Sequence, residues 1–254
     1  MRLNKYISHN TKYSRREADK LIADGKVRVN GRVQTNLATT VSYDDTIEVN
    51  DRRVTKKSEF TVIVYNKQKG ELVSKKDDRG RKTIYDNLPK RFAHYLSVGR
   101  LDYASEGLLL LTDAAPIADA LMHSDLERVY YIKVKGEVTE VMKNAMKEGL
   151  HLDDASKGAH AQSDIKSMDF APFLAFDIFG SSGGYTKLRV MINEGKNREL
   201  RRFFAYFDAD VVDLKRVSYG RVDLGTLKSG KHRFLTNKEY DELRDFLKEN
   251  KVYY

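Results

Sequence analysis

Four consecutive leucines, Leu108, Leu109, Leu110 and Leu111, stand between Gly107 and Thr112. A half-buried strand alternates apolar with polar residues, and a surface helix buries only one stripe. An unbroken apolar run of this length reads instead as a strand covered on both faces. The chain must then supply two apolar layers around a central sheet. Apolar residues are 41% of its 254 residues, enough to build them. No apolar run approaches the roughly 20 residues of a membrane span. The opening Met1-Arg2-Leu3-Asn4-Lys5-Tyr6 lacks the apolar stretch of a signal peptide. Cysteine is absent, which excludes a disulfide scaffold, zinc ribbons, iron–sulfur clusters and thiol catalysis, and fits the cytoplasm.

Around the leucine strand the pattern is mixed. Residues 60–65 read as a strand, 117–122 as a helix, 129–134 as a strand and 138–146 as a helix. Strands at 173–179 and 185–192 flank a loop at 180–184. A helix is predicted over 197–207, and strand character recurs at 211–219 and at Phe234-Leu235. Thr236-Asn237-Lys238-Glu239 is a capping box that opens a last helix through about Lys248. Hairpin-like pairs within this order predict an antiparallel-rich α+β domain.

The first 57 residues differ in charge. They hold 13 Lys and Arg against 7 Asp and Glu, whereas residues 58–254 hold 33 against 30. Leu3, Tyr6 and Ile7 are spaced for one helical face. Ser14-Arg15-Arg16-Glu17 is a second capping box, followed by the apolar stripe Ala18, Leu21, Ile22 and a stop at Gly25. Val27 and Val29 alternate with Lys26 and Arg28 ahead of Asn30-Gly31, a strong hairpin signal. Residues 46–49 form another short strand. Residues 51–59 are charged and aperiodic, as a linker is. The pattern predicts a small αα-hairpin/β domain over 1–57 and a larger domain over 58–254. A net charge of +9 points to a polyanion, most commonly nucleic acid. Lys12, Arg15, Arg16 and Lys20 surround a helix N-terminus, which itself favours phosphate. They serve equally well as solvated charges on a capped helix.

Three later segments carry side chains suited to chemistry. In Gly99-Arg100-Leu101-Asp102-Tyr103-Ala104-Ser105-Glu106-Gly107 an aspartate sits in a polar loop. A lone Asp there is more often a turn or cap residue. A nearby cation such as Arg100 would favour the charged carboxylate that a nucleophile or electrostatic stabiliser needs. Arg100 fits an RNA phosphate equally well. Residues 127–136 read as a strand with aromatic core residues, among them Tyr130 and Tyr131. On the helix at 197–207, a rotation of about 100° per residue gathers Arg198, Arg201 and Arg202 on one side. Leu200, Phe203, Phe204 and Phe207 gather on the other, so the helix is predicted to bury phenylalanines and offer an arginine face.

These blocks resemble a known family. Arg2-Leu3-Asn4-Lys5-Tyr6-Ile7, Ser14-Arg15-Arg16-Glu17-Ala18 and Gly25-Lys26-Val27-Arg28-Val29-Asn30-Gly31 look like the small RNA-binding domain first described in a small-subunit ribosomal protein. Gly99-Arg100-Leu101-Asp102 resembles the signature of bacterial pseudouridine synthases, nearest the RsuA–RluB type, which carries the same N-terminal domain. The resemblance covers nearly the whole chain in four ordered blocks. It implies an isomerase that converts uridine to pseudouridine in ribosomal RNA, on a flipped-out base, with no metal or cofactor. It implies a mostly antiparallel mixed sheet flanked by helices. In that family the Asp is catalytic, which gives Asp102 the role. A family Tyr packs against the target base. Counting back from Gly136 places it at Tyr130, since a slip of one residue would send the ring to the other face.

Gly195-Lys196-Asn197-Arg198-Glu199-Leu200-Arg201-Arg202 is similar to the family's Gly-x-Asn-Arg-Glu/Gln-x-Arg-Arg motif. Arg201 is thereby implied to orient the carboxylate. Arg198 and Arg202 are implied to hold RNA phosphates. The same role extends to Arg2, Lys5, Lys12, Arg15, Arg16, Lys20, Arg100 and Lys196. Glu199 in place of the commoner Gln leans toward the large-subunit branch. The implied partner is large-subunit ribosomal RNA, met by a cytoplasmic monomer away from any membrane. Small-subunit RNA, or a non-catalytic assembly factor on the same fold, is the alternative. Three segments depart from the pattern: Ser105 for Thr, Asp113-Ala114-Ala115 for Asn-Asp-Gly, and Lys67-Gln68-Lys69-Gly70 for Lys-Pro-x-Gly. Residues 225–232 nearly match a phosphate-binding loop but end in His232 and open no helix. The six histidines lack metal-ligand spacing.

Overall fold

The computed structural model describes residues 1–254 apart from 12, 43, 56–59, 161–162 and 253–254. Two helices open it, α1 (Leu3–Asn10) and α2 (Arg15–Ala23). The Glu17 amide donates to the Ser14 hydroxyl and the Ser14 amide to the Glu17 carboxylate, so the expected capping box starts α2. Strands β1 (Val27–Val29), β2 (Arg32–Val33), β3 (Ile47–Val49) and β4 (Arg52–Arg53) form an antiparallel sheet in the order β2-β1-β3-β4. Leu3, Ile7, Ala18, Ile22, Val27 and Ile47 close a core of their own between helices and sheet. Arg52 and Arg53, expected in the linker, pair with β3 instead. Asn50 and Asp51 adopt positive φ (51° and 58°) and turn the chain back into the sheet. The rest of that expected linker, 56–59, and the boundary between residues 57 and 58 lie outside the described residues.

The larger part begins with β5 (Val62–Lys67), the short helix α3 (Ile84–Asn87), β6 (Leu96–Ser97) and β7 (Glu106–Thr112). Then come α4 (Ala115–Met122), β8 (Arg128–Lys135), α5 (Glu140–Glu148), and the paired β9 (Leu150–Leu152) and β10 (Met168–Phe170). β11 (Ala175–Ser182), β12 (Tyr185–Ile192), α6 (Glu199–Tyr206) and β13 (Val211–Tyr219) follow. β14 (Val222–Asp223), β15 (His232–Phe234) and α7 (Asn237–Glu249) complete the chain. The main sheet runs β11-β12-β8-β13-β7-β5-β15, with β6 beside β7 and β14 beside β13. Among the described strands only the β7–β13 join in this sheet is parallel.

The leucine run is covered as its pattern demanded. Leu109 and Leu111 face one core with Met142 and Met146 of α5 and Phe203 and Phe204 of α6. Leu108 and Leu110 face the other with Ile117 and Leu121 of α4 and Leu243 and Leu247 of α7. At the parallel join β7 must start with glycine. Gly107 has φ +104°, and a Cβ there would sit 2.1 Å from the Arg216 carbonyl oxygen. Two boundaries differ from expectation. β11 continues through Gly180, Ser181 and Ser182, expected in the loop, because a bulge after Ile178 restores its register with β12. α6 begins at Glu199 because Arg198 is left-handed, with φ 51° and ψ 30°.

Candidate active site

The loop before β7 carries Asp102 at the mouth of a cavity of about 130 Å³. That volume suits a single planar ring better than the drug-sized ligands of larger pockets. Leu101, Tyr130, Leu200, Arg201, Leu214 and Arg216 line it. β8 brings Tyr130 into register with Arg216 of β13 and Val190 of β12. Tyr130 is 7% exposed in the cavity wall, whereas Tyr131 is 47% exposed on the opposite face of the sheet. The alternation of the strand thus sends only Tyr130 into the cavity.

Two guanidiniums flank the Asp102 carboxylate. Arg201 Nε lies 3.3 Å and Arg198 Nη1 3.4 Å from Oδ2. The Arg201 approach is an ion pair without the alignment of a hydrogen bond. Its other nitrogens are fixed: Nη1 donates to the Val211 carbonyl (2.9 Å) and Nη2 to the Ser105 hydroxyl (3.1 Å). Burial pushes the Arg201 pKa down, and the Asp102 charge opposes that push. Arg198 donates from Nε to the Gly158 carbonyl (2.7 Å). Gly158 itself lies against α6, where a Cβ would come 2.4 Å from the Arg201 carbonyl oxygen. Arg100 is exposed at the cavity rim, and the cations beside Asp102 are Arg198 and Arg201, the second as the resemblance implied.

Arg202 departs furthest from its expected role. It is fully buried, and its guanidinium donates to the Ala155 and Ile165 carbonyls, the Ser163 hydroxyl and Asn197. The described part of the loop between β9 and β10 lies over this side of α6, so Arg202 has no surface to offer a phosphate. The arginine side of α6 is consequently an inner face as well. Lys196 stays exposed, but its Nζ donates to the Asp169 carbonyl (2.6 Å) and to Glu194 (2.8 Å).

Three buried cations escaped the sequence pattern. Lys67 ends β5 with no exposed surface, and its Nζ donates to the carbonyls of Gln68 (2.9 Å), Asp102 (3.0 Å) and Ser105 (2.8 Å). Burial pushes its pKa down to about 8. The signal was present in the Lys-Pro-x-Gly likeness, where Lys67 and Gly70 keep the pattern and only Gln68 departs. Arg216 donates from Nε to the Leu108 carbonyl (2.8 Å) and lies over the Tyr219 ring. Arg128 donates to the Asn193 carbonyl (2.5 Å) and the Tyr219 hydroxyl (3.0 Å). Alternation along β8 and β13 places both on the cavity side. Glu199 is buried as well. It accepts from the Lys196 amide (3.0 Å), and burial with the neighbouring Glu194 pushes its pKa up to about 7.

Of the N-terminal candidates, Arg15, Arg16 and Lys20 are exposed along α2. Arg2 is exposed beside Thr40. Lys5 points to α4, with Nζ 3.6 Å from Asp119. Lys12 lies outside the described residues. Among those residues no three His, Asp or Glu are grouped to hold a metal ion, and no helix is long and apolar enough to cross a membrane.

Comparison with known proteins fits this geometry. Residues 61–206 match the RNA pseudouridylate synthase family, and residues 1–47 match the S4 domain. An RNA pseudouridine synthase of Helicobacter pylori is 52% identical over 249 residues, 97% of this chain and 95% of its own. The ribosomal large subunit pseudouridine synthase B of Bacillus subtilis is 36% identical over 248 residues, 96% of this chain and 95% of its own. A crystal structure of a pseudouridylate synthase aligns with a TM-score of 0.63 at 28% identity, over 96% of this chain and 99% of that one. The chain belongs to the RNA pseudouridylate synthase family and carries an S4 region at its N-terminus.

Proposed function

We propose that this enzyme isomerises one uridine of large-subunit ribosomal RNA, with Asp102 as the catalytic carboxylate. The observation that carries the proposal is a carboxylate held by Arg201 and Arg198 at the mouth of a ring-sized cavity walled by Tyr130. The reaction breaks the C1′–N1 glycosidic bond, turns the detached uracil and rejoins it through C5; the C5 proton is lost to solvent and N1 takes one up, so the product is an isomer. The base must leave its stack to reach so enclosed a site. Tyr130 supplies an aromatic wall for the uracil. Arg201 holds the carboxylate in place while its Nη atoms donate to the Val211 and Ala104 carbonyls and the Ser105 hydroxyl, and Lys67 pins the backbone of the same loop. The Bacillus subtilis relative, a ribosomal large subunit pseudouridine synthase B, supports the large-subunit assignment. The S4 region, within a proposed domain 1–57, delivers RNA through Arg15, Arg16 and Lys20 to a catalytic domain over 58–254. A monomer acting in the cytoplasm fits this role.

Pseudouridine formed in a large-subunit rRNA transcript by Asp102→Asn protein tests the assignment. No product with RNA binding within about threefold of wild type is expected. Wild-type turnover in that variant overturns it. Mapping pseudouridines in total rRNA from a strain lacking the protein identifies the target; loss of a small-subunit site alone overturns the large-subunit assignment.

A further inference from the structure

The cavity lies on one face of the main sheet; among the described residues the opposite face is exposed at Tyr131 of β8, Phe179 of β11 and Tyr185 of β12. Neither α4 nor α7, which cover β5 and β7 on that side, reaches it. Three rings stand on this open face: Tyr131 is 47%, Phe179 60% and Tyr185 37% exposed. The Tyr131 and Phe179 rings meet at 5.8 Å between centroids, and Lys133 Nζ lies 4.3 Å over the Tyr185 ring. Register places cations among them. Arg189 and Lys215 flank Tyr131, Lys187 pairs across from Lys133, and Lys135 pairs across from Tyr185. Asp177 and Asp213 share the face but are engaged by Arg189 and Lys69. Among the described residues, Lys135, Lys187 and Lys215 make no ion pair.

We propose that this open face binds single-stranded RNA, as a second contact surface separate from the catalytic cavity. The chemistry is that of a stacking platform: exposed rings offer faces to successive bases, and interleaved lysines meet the phosphates. A solvated antiparallel face needs neither. A protein-docking face would place its apolar residues in a patch depleted of lysine, whereas here lysines alternate with the rings. Charge complementarity therefore selects a polyanion. The proposal holds whichever uridine is modified, and its readout is binding rather than turnover.

The test uses the full chain and a fluorescein-labelled 12-nucleotide oligouridylate. Tyr131→Ala/Phe179→Ala is expected to bind about tenfold more weakly, since each stacked ring contributes substantially to such binding. Both rings are exposed, so the thermal midpoint stays near that of wild type. Lys187→Glu should lower the slope of log Kd against log salt by about one. Photocrosslinking with 4-thiouridine should label Tyr131, Phe179 or Tyr185. Unchanged affinity in the double variant, or crosslinks confined to α2 and the cavity, overturns the proposal. So does a wild-type dimer, without RNA, that Tyr131→Ala/Phe179→Ala converts to monomer, because the face would then be an interface between copies.

Discussion

Lys67→Met removes the ammonium beneath the Asp102 loop while keeping the length of the side chain. Two opposed effects set its consequence. A Lys pKa lowered from 10.5 to about 8 means that keeping the charge inside the fold costs roughly 3 kcal/mol. Against this, the ammonium donates three hydrogen bonds to carbonyls, and bonds to a charged group contribute about 1.5–3 kcal/mol each. Their sum exceeds the cost, so the variant should lose about 1.5 kcal/mol of stability or more, at least roughly 3–6 °C in Tm for a domain of this size. The chemical effect is larger. The Asp102 carbonyl loses its anchor, and a shift of about 1 Å in a reacting group costs on the order of 100-fold in rate. Single-turnover pseudouridine formation should fall by about that factor, with KM for the RNA within about threefold. The pH dependence gives an independent check. Between about pH 8 and 10.5 the unfolded chain holds a proton on Lys67 that the folded chain has released. Wild-type stability relative to Lys67→Met should therefore rise over that window. A variant with kcat within threefold of wild type and no such difference would refute the anchoring role.

Gly107→Ala should unfold at markedly lower urea, by about 3 kcal/mol or more, because its Cβ cannot fit 2.1 Å from the Arg216 carbonyl oxygen; an unchanged midpoint would contradict the close approach of β7 and β13. Arg15→Glu/Arg16→Glu should weaken binding to a folded rRNA fragment and reduce the salt slope by about two, one per lost phosphate contact. A parallel loss at all salt concentrations would instead indicate damage to the fold. Glu199→Gln keeps the acceptor for the Lys196 amide but removes a carboxyl whose pKa is raised to about 7. A raised carboxyl pKa lends stability that is lost as pH climbs through the folded value. Wild type should thus weaken relative to Glu199→Gln between about pH 4.5 and pH 7 and level off at higher pH, measured as the difference in Tm. A constant difference would mean that Glu199 does not titrate there.

Periodicity showed which side chains share a face, and left open what lies over that face. The leucine run of β7 was legible because its own composition states that both sides are dry. The Arg198, Arg201 and Arg202 cluster was legible as a cluster, but its exposure was not. The loop that covers Arg202 has no regular pattern, and it closes over α6 through backbone carbonyls at Ala155 and Ile165. Carbonyl acceptors belong to every residue type, so no composition marks them. The same holds for Lys67. Residues 60–65 read as a strand, yet Asn66 and Lys67 beyond that span stay buried because they donate to distant carbonyls, of Leu227 in one case and of Asp102 and Ser105 in the other.

The pairing of Asp102 with Arg201 was equally invisible to spacing, since a loop before one strand and a helix before another meet only through the β7–β13 join. Family likeness supplied that pair; the physics of the join explains why it forms. Gly107 lets β13 approach β7 closely, and Arg201 Nη1 donates to Val211 at the start of β13 while Nη2 donates to Ser105 just ahead of β7. One guanidinium therefore bridges the two strands that the glycine brings together. The orientation of the carboxylate depends on that strand pairing as much as on charge.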